Sequence, residues 1–234
     1  MISISNLKFS YSEKTPLILD IPEFNLNPQE TFFLFGPSGS GKTTFLEILA
    51  GILTPQSGKV VVDGVDLTTL SASEKDRFRA EHLGIIFQQF NLIPYLNMKE
   101  NIELPFLFNQ KPKDEKWQAH LLEKLGLSGL QKQTVSQLST GQQQRIAVAR
   151  ALSSRPQLII ADEPTSALDY DHRERFLSLL FELCREQKTT LIFVSHDRSI
   201  QKLFSKSLSL PDLNLIPPVG GNNLIPPVGD RVDS

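Results

Sequence analysis

Between Thr31 and Gly51 the chain leaves little freedom of interpretation. Thr31-Phe32-Phe33-Leu34-Phe35 is an apolar run of buried-strand length. Gly36-Pro37-Ser38-Gly39-Ser40-Gly41-Lys42-Thr43 follows and matches the P-loop pattern G-x-x-x-x-G-K-[ST] at every fixed position. Thr44 to Ala50 then carries apolar residues at helical spacing and stops at Gly51, a C-terminal cap. Strand, glycine loop and helix are the context this motif requires. The glycines let backbone N–H groups turn inward onto phosphate oxygens, at a helix N-terminus whose dipole favours anions. Lys42 would reach the β- and γ-phosphates and the Thr43 hydroxyl would meet Mg²⁺. The chain is therefore expected to bind a nucleoside triphosphate with Mg²⁺, through residues 36–43 and the adjoining Thr44.

The rest of the composition removes several classes. With 234 residues the chain is long enough for one large α/β domain and a sizeable core. Its 24 basic and 26 acidic residues leave a net charge of −2, so no overall electrostatic footprint points to nucleic acid. The single cysteine, Cys184, lies in an apolar helical pattern, permits no internal disulfide and suits a reducing compartment. Met1-Ile2-Ser3-Ile4 has no charged stretch leading into an apolar one, so no secretory leader is expected there. No apolar run reaches the eighteen or so residues of a membrane span. A cytoplasmic protein is the expectation.

Taken in order, residues 2–9 and 17–26 read as strands joined by a polar turn around Ser12-Glu13-Lys14. Residues 57–64 read as a hairpin with Asp63-Gly64 as its turn. Residues 71–82 form a polar helix, and Leu83 to Phe87 a buried strand ending at Gln88. From Gln89 onward prolines 94, 105 and 112 interrupt short helical stretches, the best helix being 114–125. A core segment resumes near Gln142: helix 144–152, strand 158–161, helix 170–186 and strand 190–194. Alternating strands and helices imply a mainly parallel sheet covered on both faces. The tail repeats itself: Asn214-Leu215-Ile216-Pro217-Pro218-Val219-Gly220 recurs at 223–229, which favours an extended, weakly structured segment.

Several residues can serve the phosphate site. Leu158 to Ala161 runs into Asp162-Glu163, an apolar strand ending in two carboxylates. The first can hold Mg²⁺ or its waters, the second can act as general base on an attacking water. The Gln88 amide can ligate Mg²⁺ or orient that water. Ser139-Thr140-Gly141-Gln142 reads as an N-cap loop offering a hydroxyl and N–H groups to an anion. His196, just past strand 190–194, can hydrogen-bond a γ-phosphate as neutral imidazole.

Together these residues resemble the nucleotide-binding subunit of ATP-binding cassette (ABC) transporters, over the chain to about Ile216. Gly36 to Thr43 is similar to Walker A, Leu158 to Glu163 to Walker B, and Gln88 to the Q-loop glutamine. Leu138 to Arg145 resembles the family signature, Ser166-Ala167-Leu168-Asp169 the D-loop, and His196 the switch histidine. Tyr11 resembles the aromatic on which adenine stacks. The signature's common form has glycine where this chain has Thr140. The resemblance implies a P-loop α/β core, an N-terminal antiparallel β-subdomain and a helical insert at about 89–150, with 217–234 as a proline-rich tail. It also implies catalytic roles for Glu163, His196 and Gln88, and metal contacts from Thr43, Gln88 and Asp162. ATP and Mg²⁺ would be bound by Tyr11, residues 36–44 and, from a second copy, Ser139, Gly141 and Gln142. The implied partners are a membrane-spanning permease and a second copy on ATP binding, at the inner face of the membrane, with no nucleic acid. Phe87 to Pro94 and Glu100 to Pro105 further resemble the lipoprotein-release, macrolide-export and cell-division subgroup. The alternative within the family is a soluble ATPase acting on nucleic acid or ribosomes. A GTPase would carry N-K-x-D, which is absent from the chain.

Overall fold

The computed structural model describes residues 1–109, 111–166 and 168–218. Two sheets organise it. The first is antiparallel, in the order β2-β1-β4-β5, from β1 (Ile2–Phe9), β2 (Leu19–Leu26), β4 (Ser57–Val62) and β5 (Val65–Asp66). Asp63 and Gly64 both take positive φ, 51° and 79°, so the expected Asp-Gly turn is the kind that matches strand twist. Pro22 is tolerated in β2 because that strand lies at the sheet edge.

The second sheet is parallel, in the order β6-β7-β8-β3-β9. It comprises β3 (Thr31–Phe35), β6 (Leu83–Ile86), β7 (Leu158–Asp162), β8 (Thr190–Val194) and β9 (Lys206–Ser209). Apart from the edge strand β9, its strands are apolar on both faces, as a doubly covered sheet requires. Phe32, Leu34, Leu158, Ile160, Ile192 and Val194 pack towards the antiparallel sheet and α1 (Lys42–Leu49). Phe33, Ile159, Ala161, Leu191 and Phe193 face the opposite layer. There α4 (Glu115–Lys124), α5 (Thr140–Ser153) and α6 (Tyr170–Gln187) bury Trp117, Leu121, Ile146, Leu152, Leu177 and Leu180. Two further helices complete the outer parts, α2 (Ala72–His82) and α3 (Met98–Glu103). Cys184 is buried in α6, and that burial pushes its thiol up to about 12, which fits packing rather than reactivity.

The structure adds what the sequence pattern did not signal. β9 pairs with β3 from Phe32↔Lys206 to Phe35↔Ser209. It alternates charge, hydroxyl and one leucine, so it carries no apolar signature of its own. After it, α7 (Leu210–Leu213) buries Leu210, and the chain runs back along β2. The repeat, whose first copy begins at Asn214, was expected to be extended; Asn214 itself is 6% exposed and held at both ends of its amide. Its Oδ1 accepts from Asp20 N–H and its Nδ2 donates to Ile18 O, each at 2.8 Å, while Leu215 N–H donates to Asp20 O at 2.9 Å. The unpaired edge of β2 supplies these partners. Residues 219–234, with the second copy of the repeat, lie outside the described residues.

One contact sets how closely the insert-side helix approaches the sheet. A Cβ added to Gly84 in β6 would lie 2.2 Å from the Ala151 carbonyl oxygen and 2.5 Å from Ile159 Cδ1. Backbone cannot yield as a flexible side chain does. Gly84→Ala is expected to cost about 1–3 kcal/mol, the scale of an overpacked core, read as a lower thermal midpoint. A midpoint equal to that of the parent would show that α5 does not press on β6 in this way.

Candidate functional site

Parallel pairing brings three strand ends into one row. Leu34 of β3 lies opposite Val194 of β8, and Asp162 of β7 lies opposite that same Val194. The residues that follow each strand, Gly36, Glu163 and Ser195-His196, therefore leave the sheet side by side. Binding at the carboxyl ends of parallel strands is the rule for open α/β sheets.

The glycine loop occupies the first place in this row. Gly36, Gly39 and Gly41 have φ of 155°, 76° and 94°, all open to glycine at little cost. Gly41 is the N-cap of α1, and no side chain caps the helix and no acid stands in its first turn. The first N–H groups of α1 are thus left for an external acceptor, and the helix dipole makes an anion the favoured one. Lys42 Nζ donates to the Gly36 and Pro37 carbonyls, both at 2.9 Å, and so lies across the loop. Thr43 Oγ1 donates to Asp162 Oδ2 at 3.4 Å, joining the loop to the first carboxylate. Pro37, Ser38 and Gly39 are exposed, whereas Ser40 is buried and its Oγ has no partner among the described residues.

Burial pushes the Asp162 carboxyl above its ordinary range, the nearby Glu163 adds to this, and Thr43 and Lys42 act against it. Glu47 in α1 is raised as well, first by burial and then by Asp162. This is a site short of positive charge. Glu163 adopts φ 49°, a left-handed conformation unusual for a non-glycine residue. Its N–H donates to Val194 O at 3.0 Å, which anchors the bend. The turned side chain meets His196, Nδ1 to Oε2 at 3.0 Å, with His196 72% exposed and Glu163 only 16%. Strain of this kind persists where surroundings over-determine it and clusters at functional sites.

Gln88 lies just beyond β6 and its Nε2 reaches Ser166 Oγ at 3.4 Å, so it borders the row. Tyr11 stands 61% exposed past β1. Its hydroxyl shares a 3.0 Å hydrogen bond with Thr44 Oγ1, and Phe9 meets its ring edge-on at 5.2 Å. One ring is thus steered beside the start of α1 with a face left to solvent.

Ser139, Gly141 and Gln142 are placed differently. α5 begins at Thr140, so they form the helix cap and first turn instead of a loop ahead of the helix. Ser139 Oγ accepts from Gln142 N–H at 3.3 Å and Gln142 Oε1 from Ser139 N–H at 2.9 Å, a closed capping box. Among the described hydrogen bonds none joins this cap to the glycine loop. A Cβ on Gly141 would meet nothing within 4 Å. Nothing among the described residues requires glycine there.

Three supporting residues escaped the motif search. Arg150 donates to the carbonyls of Phe90 and Asn91, both at 2.6 Å, and these two residues take φ of 58° and 48°. Burial lowers its pKa. Asn101, 0% exposed, accepts from Ile93 N–H at 2.8 Å and donates to Ile93 O at 3.0 Å. Gln144 Nε2 donates to Pro164 O at 2.8 Å, tying α5 to the residue after Glu163. Each acts on backbone carbonyls, which a residue motif does not record.

The chain is similar to known proteins over most of its length. The family model described as ABC transporter matches residues 19–166. The lipoprotein-releasing system ATP-binding protein LolD of Coxiella burnetii is 38% identical over 216 residues, covering 90% of this chain and 92% of the relative. The dimeric structure of the ATP-binding cassette MJ0796 of Methanocaldococcus jannaschii, in a post-hydrolysis state bound to ADP and Pi, superposes with a TM-score of 0.78 at 34% identity. It covers 89% of this chain and 94% of that one. The structure of cbiO1 from Clostridium perfringens, part of the ABC transporter complex cbiONQ, gives a TM-score of 0.78 at 28% identity, with coverage of 89% and 83%. With that family model over more than half of its length and these relatives along nine-tenths of it, the chain belongs to the ABC transporter family as an ATP-binding subunit.

Proposed function

We propose that this subunit is the ATP-hydrolysing motor of a transporter of the lipoprotein-release and macrolide-export type, two copies closing on ATP to move a membrane partner. The observation that carries this reading is the Glu163–His196 contact at 3.0 Å, set at the strand ends beside the uncapped start of α1. Glu163 is the general base that takes a proton from the attacking water. His196 holds Glu163 through Nδ1 and leaves its exposed edge for the γ-phosphate. Lys42 and the N–H groups of residues 39–44 bind the β- and γ-phosphates, Tyr11 stacks adenine, and Gln88 orients water.

Mg²⁺ belongs to the same reading. Among the described residues no cluster of three or more His, Cys, Asp or Glu could hold a metal by itself. Mg²⁺ keeps several waters and needs one or two carboxylates with substrate phosphates, so a hydroxyl and a raised carboxyl fit it. Thr43 and Asp162 would hold it, with Gln88 at the edge, and it would neutralise charge between the phosphates.

Two features support a composite site between copies. No described hydrogen bond joins the Ser139–Gln142 cap to its own glycine loop, and among the described residues nothing lies within 4 Å of a Cβ added to Gly141. A second copy's ATP is the acceptor this reading assigns to Ser139, Gly141 and Gln142. Thr140, exposed beside them, adds bulk to that approach.

For the membrane partner, the support is a groove of about 510 Å³ between β6, α2 and the segment after α3. Arg79, Phe87, Leu104, Phe108 and Arg150 line it. Leu107 and Phe108 stand 73% and 70% exposed. An apolar groove next to Gln88 could pass closure at the nucleotide to a permease segment. Among the described residues no helix is long and apolar enough to cross a membrane, so such a partner would supply the spanning part. Phe87, Asn91, Leu104 and Pro105, from the two stretches that carry the subgroup resemblance, line this groove.

Three outcomes test the reading. Glu163→Gln is expected to slow hydrolysis by roughly 10²–10⁴-fold while ATP still binds; turnover close to that of the parent would remove Glu163 from the role. Tyr11→Ala is expected to weaken ATP by about 1–3 kcal/mol, the scale of base–aromatic stacking, measured by equilibrium titration; an unchanged affinity places adenine elsewhere. Specific activity is expected to rise with protein concentration. Ser139→Arg is expected to abolish turnover yet spare ATP binding. Full activity of Ser139→Arg at every concentration would mean that one chain holds a complete site.

A further inference from the structure

The loop that carries His196 is short and fastened on both sides. It leaves β8 at Ser195, which is 2% exposed, and enters a 3₁₀ turn at Arg198–Leu203. Asp197 N–H donates to Ser195 Oγ at 3.1 Å, and Asp197 Oδ1 accepts from Ser199 N–H at 2.9 Å. The other carboxylate oxygen of Asp197 pairs with Nη1 of Arg173, in the first part of α6. Arg173 is 16% exposed and its guanidinium lies 5.3 Å from the Tyr170 ring centroid. On the other flank the Arg198 guanidinium sits 4.4 Å from the centroid of Phe35, the last residue of the strand that feeds the glycine loop. Two arginines thus tie one loop to two different elements, and His196 stands exposed on it.

The Arg173–Asp197 pair is not needed to build the local backbone. Ser195 and Ser199 already shape the turn around Asp197, and Asp197 at 29% exposure would stay hydrated without its partner. What the pair adds is direction, because a forked, charged donor fixes where the carboxylate lies relative to α6. The Nε–H of Arg173 is buried without an acceptor among the described residues. The guanidinium is therefore held by Asp197 and the Tyr170 ring, and not by a fuller network of its own.

We infer that Arg173 is a positioning residue for hydrolysis: its ion pair with Asp197 holds the His196 loop where the imidazole meets Glu163, and couples that contact to the start of α6. The inference rests on the reading of Glu163 and His196 as the hydrolytic pair. α6 starts directly after Asp169, its N-cap, so a displacement of that segment is carried to His196 through one side chain. Small misplacements at a reacting centre have large effects on rate, whereas nucleotide binding depends on the glycine loop, which follows β3 and is built by its own backbone and Lys42.

The test uses the full chain, with steady-state ATPase kinetics and ATP affinity by equilibrium titration. The set is Arg173→Met, Asp197→Asn, the double variant, Arg173→Lys and His196→Ala. Arg173→Met and Asp197→Asn are each expected to lower kcat by roughly tenfold with KM for ATP changed less than about twofold. Asn keeps the oxygen that caps Ser199, so folding is spared. The double variant is expected to be no slower than the slower single one, because both remove the same interaction. Arg173→Lys is expected to recover part of the rate. If His196→Ala is inactive while Arg173→Met turns over like the parent, the positioning role is wrong and the histidine reading stands. If His196→Ala itself keeps the parent's rate, the histidine reading fails and this inference with it. Losses that multiply in the double variant, or that appear equally in ATP affinity, would assign Arg173 to general stability and overturn the proposal.

Discussion

Everything at the nucleotide end depends on the register of three parallel strands. Leu34, Val194 and Asp162 lie in one line because β3 and β7 both pair with β8. Alternation defends that register. Phe32 and Leu34 belong to one core layer and Phe33 to the other, with the same division in β7 and β8. A slip of one residue would send each of these side chains to the wrong face. The packing of Phe33 against Phe193 and Phe204, at 6.4 Å and 5.2 Å between centroids, gives the layer shapes as well as hydrophobicity. Core packing therefore decides which residues emerge at the rim, and the chemistry is placed by residues that never touch it.

Charge at that rim is unbalanced by construction. Asp162 and Glu47 are both raised by burial; Glu163 adds to the rise at Asp162, and Asp162 adds to that at Glu47. Lys42 and the start of α1 are the positive elements opposite them. A triphosphate brings further negative charge, which the helix N-terminus can accept at one end of the row. At the other end the acids favour a cation between them and the phosphates.

The loops are held by long polar side chains that reach across to backbone. Arg150 grips Phe90 and Asn91, Asn101 grips Ile93, Gln144 grips Pro164, and Asn214 grips Ile18 and Asp20. Buried polar groups of this kind are stabilising when every partner is present and costly when one is lost. Left-handed residues such as Phe90, Asn91 and Glu163 persist because such clamps surround them. The Asn214 clamp has a further consequence. Ile18 and Leu19 lie against Gly41, where a Cβ would sit 3.4 Å and 3.0 Å from their side chains, so the C-terminal segment backs the glycine loop through β2.

Most strands and helices were legible as local pattern. Residues 31–35 and 190–194 needed no tertiary information, since five-residue apolar runs rich in aromatic and β-branched residues between turn signals are too short for helices and read as buried strands. The glycine loop was legible because φ values such as those of Gly39 and Gly41 restrict residue type directly. β9 was not legible, since an edge strand needs hydrogen bonds from β3 more than apolar side chains of its own. Nor could spacing reveal that Glu163 bends left-handed towards His196, or that Arg173 meets Asp197 across two elements. The sequence by itself determined which residue types stand at the ends of strands and in the glycine loop, because local backbone geometry and periodicity select them. Only the tertiary structure decided which of those ends become neighbours and which clamps hold them, because strand order and cross-element contacts are properties of the packed sheet, not of any short stretch of chain.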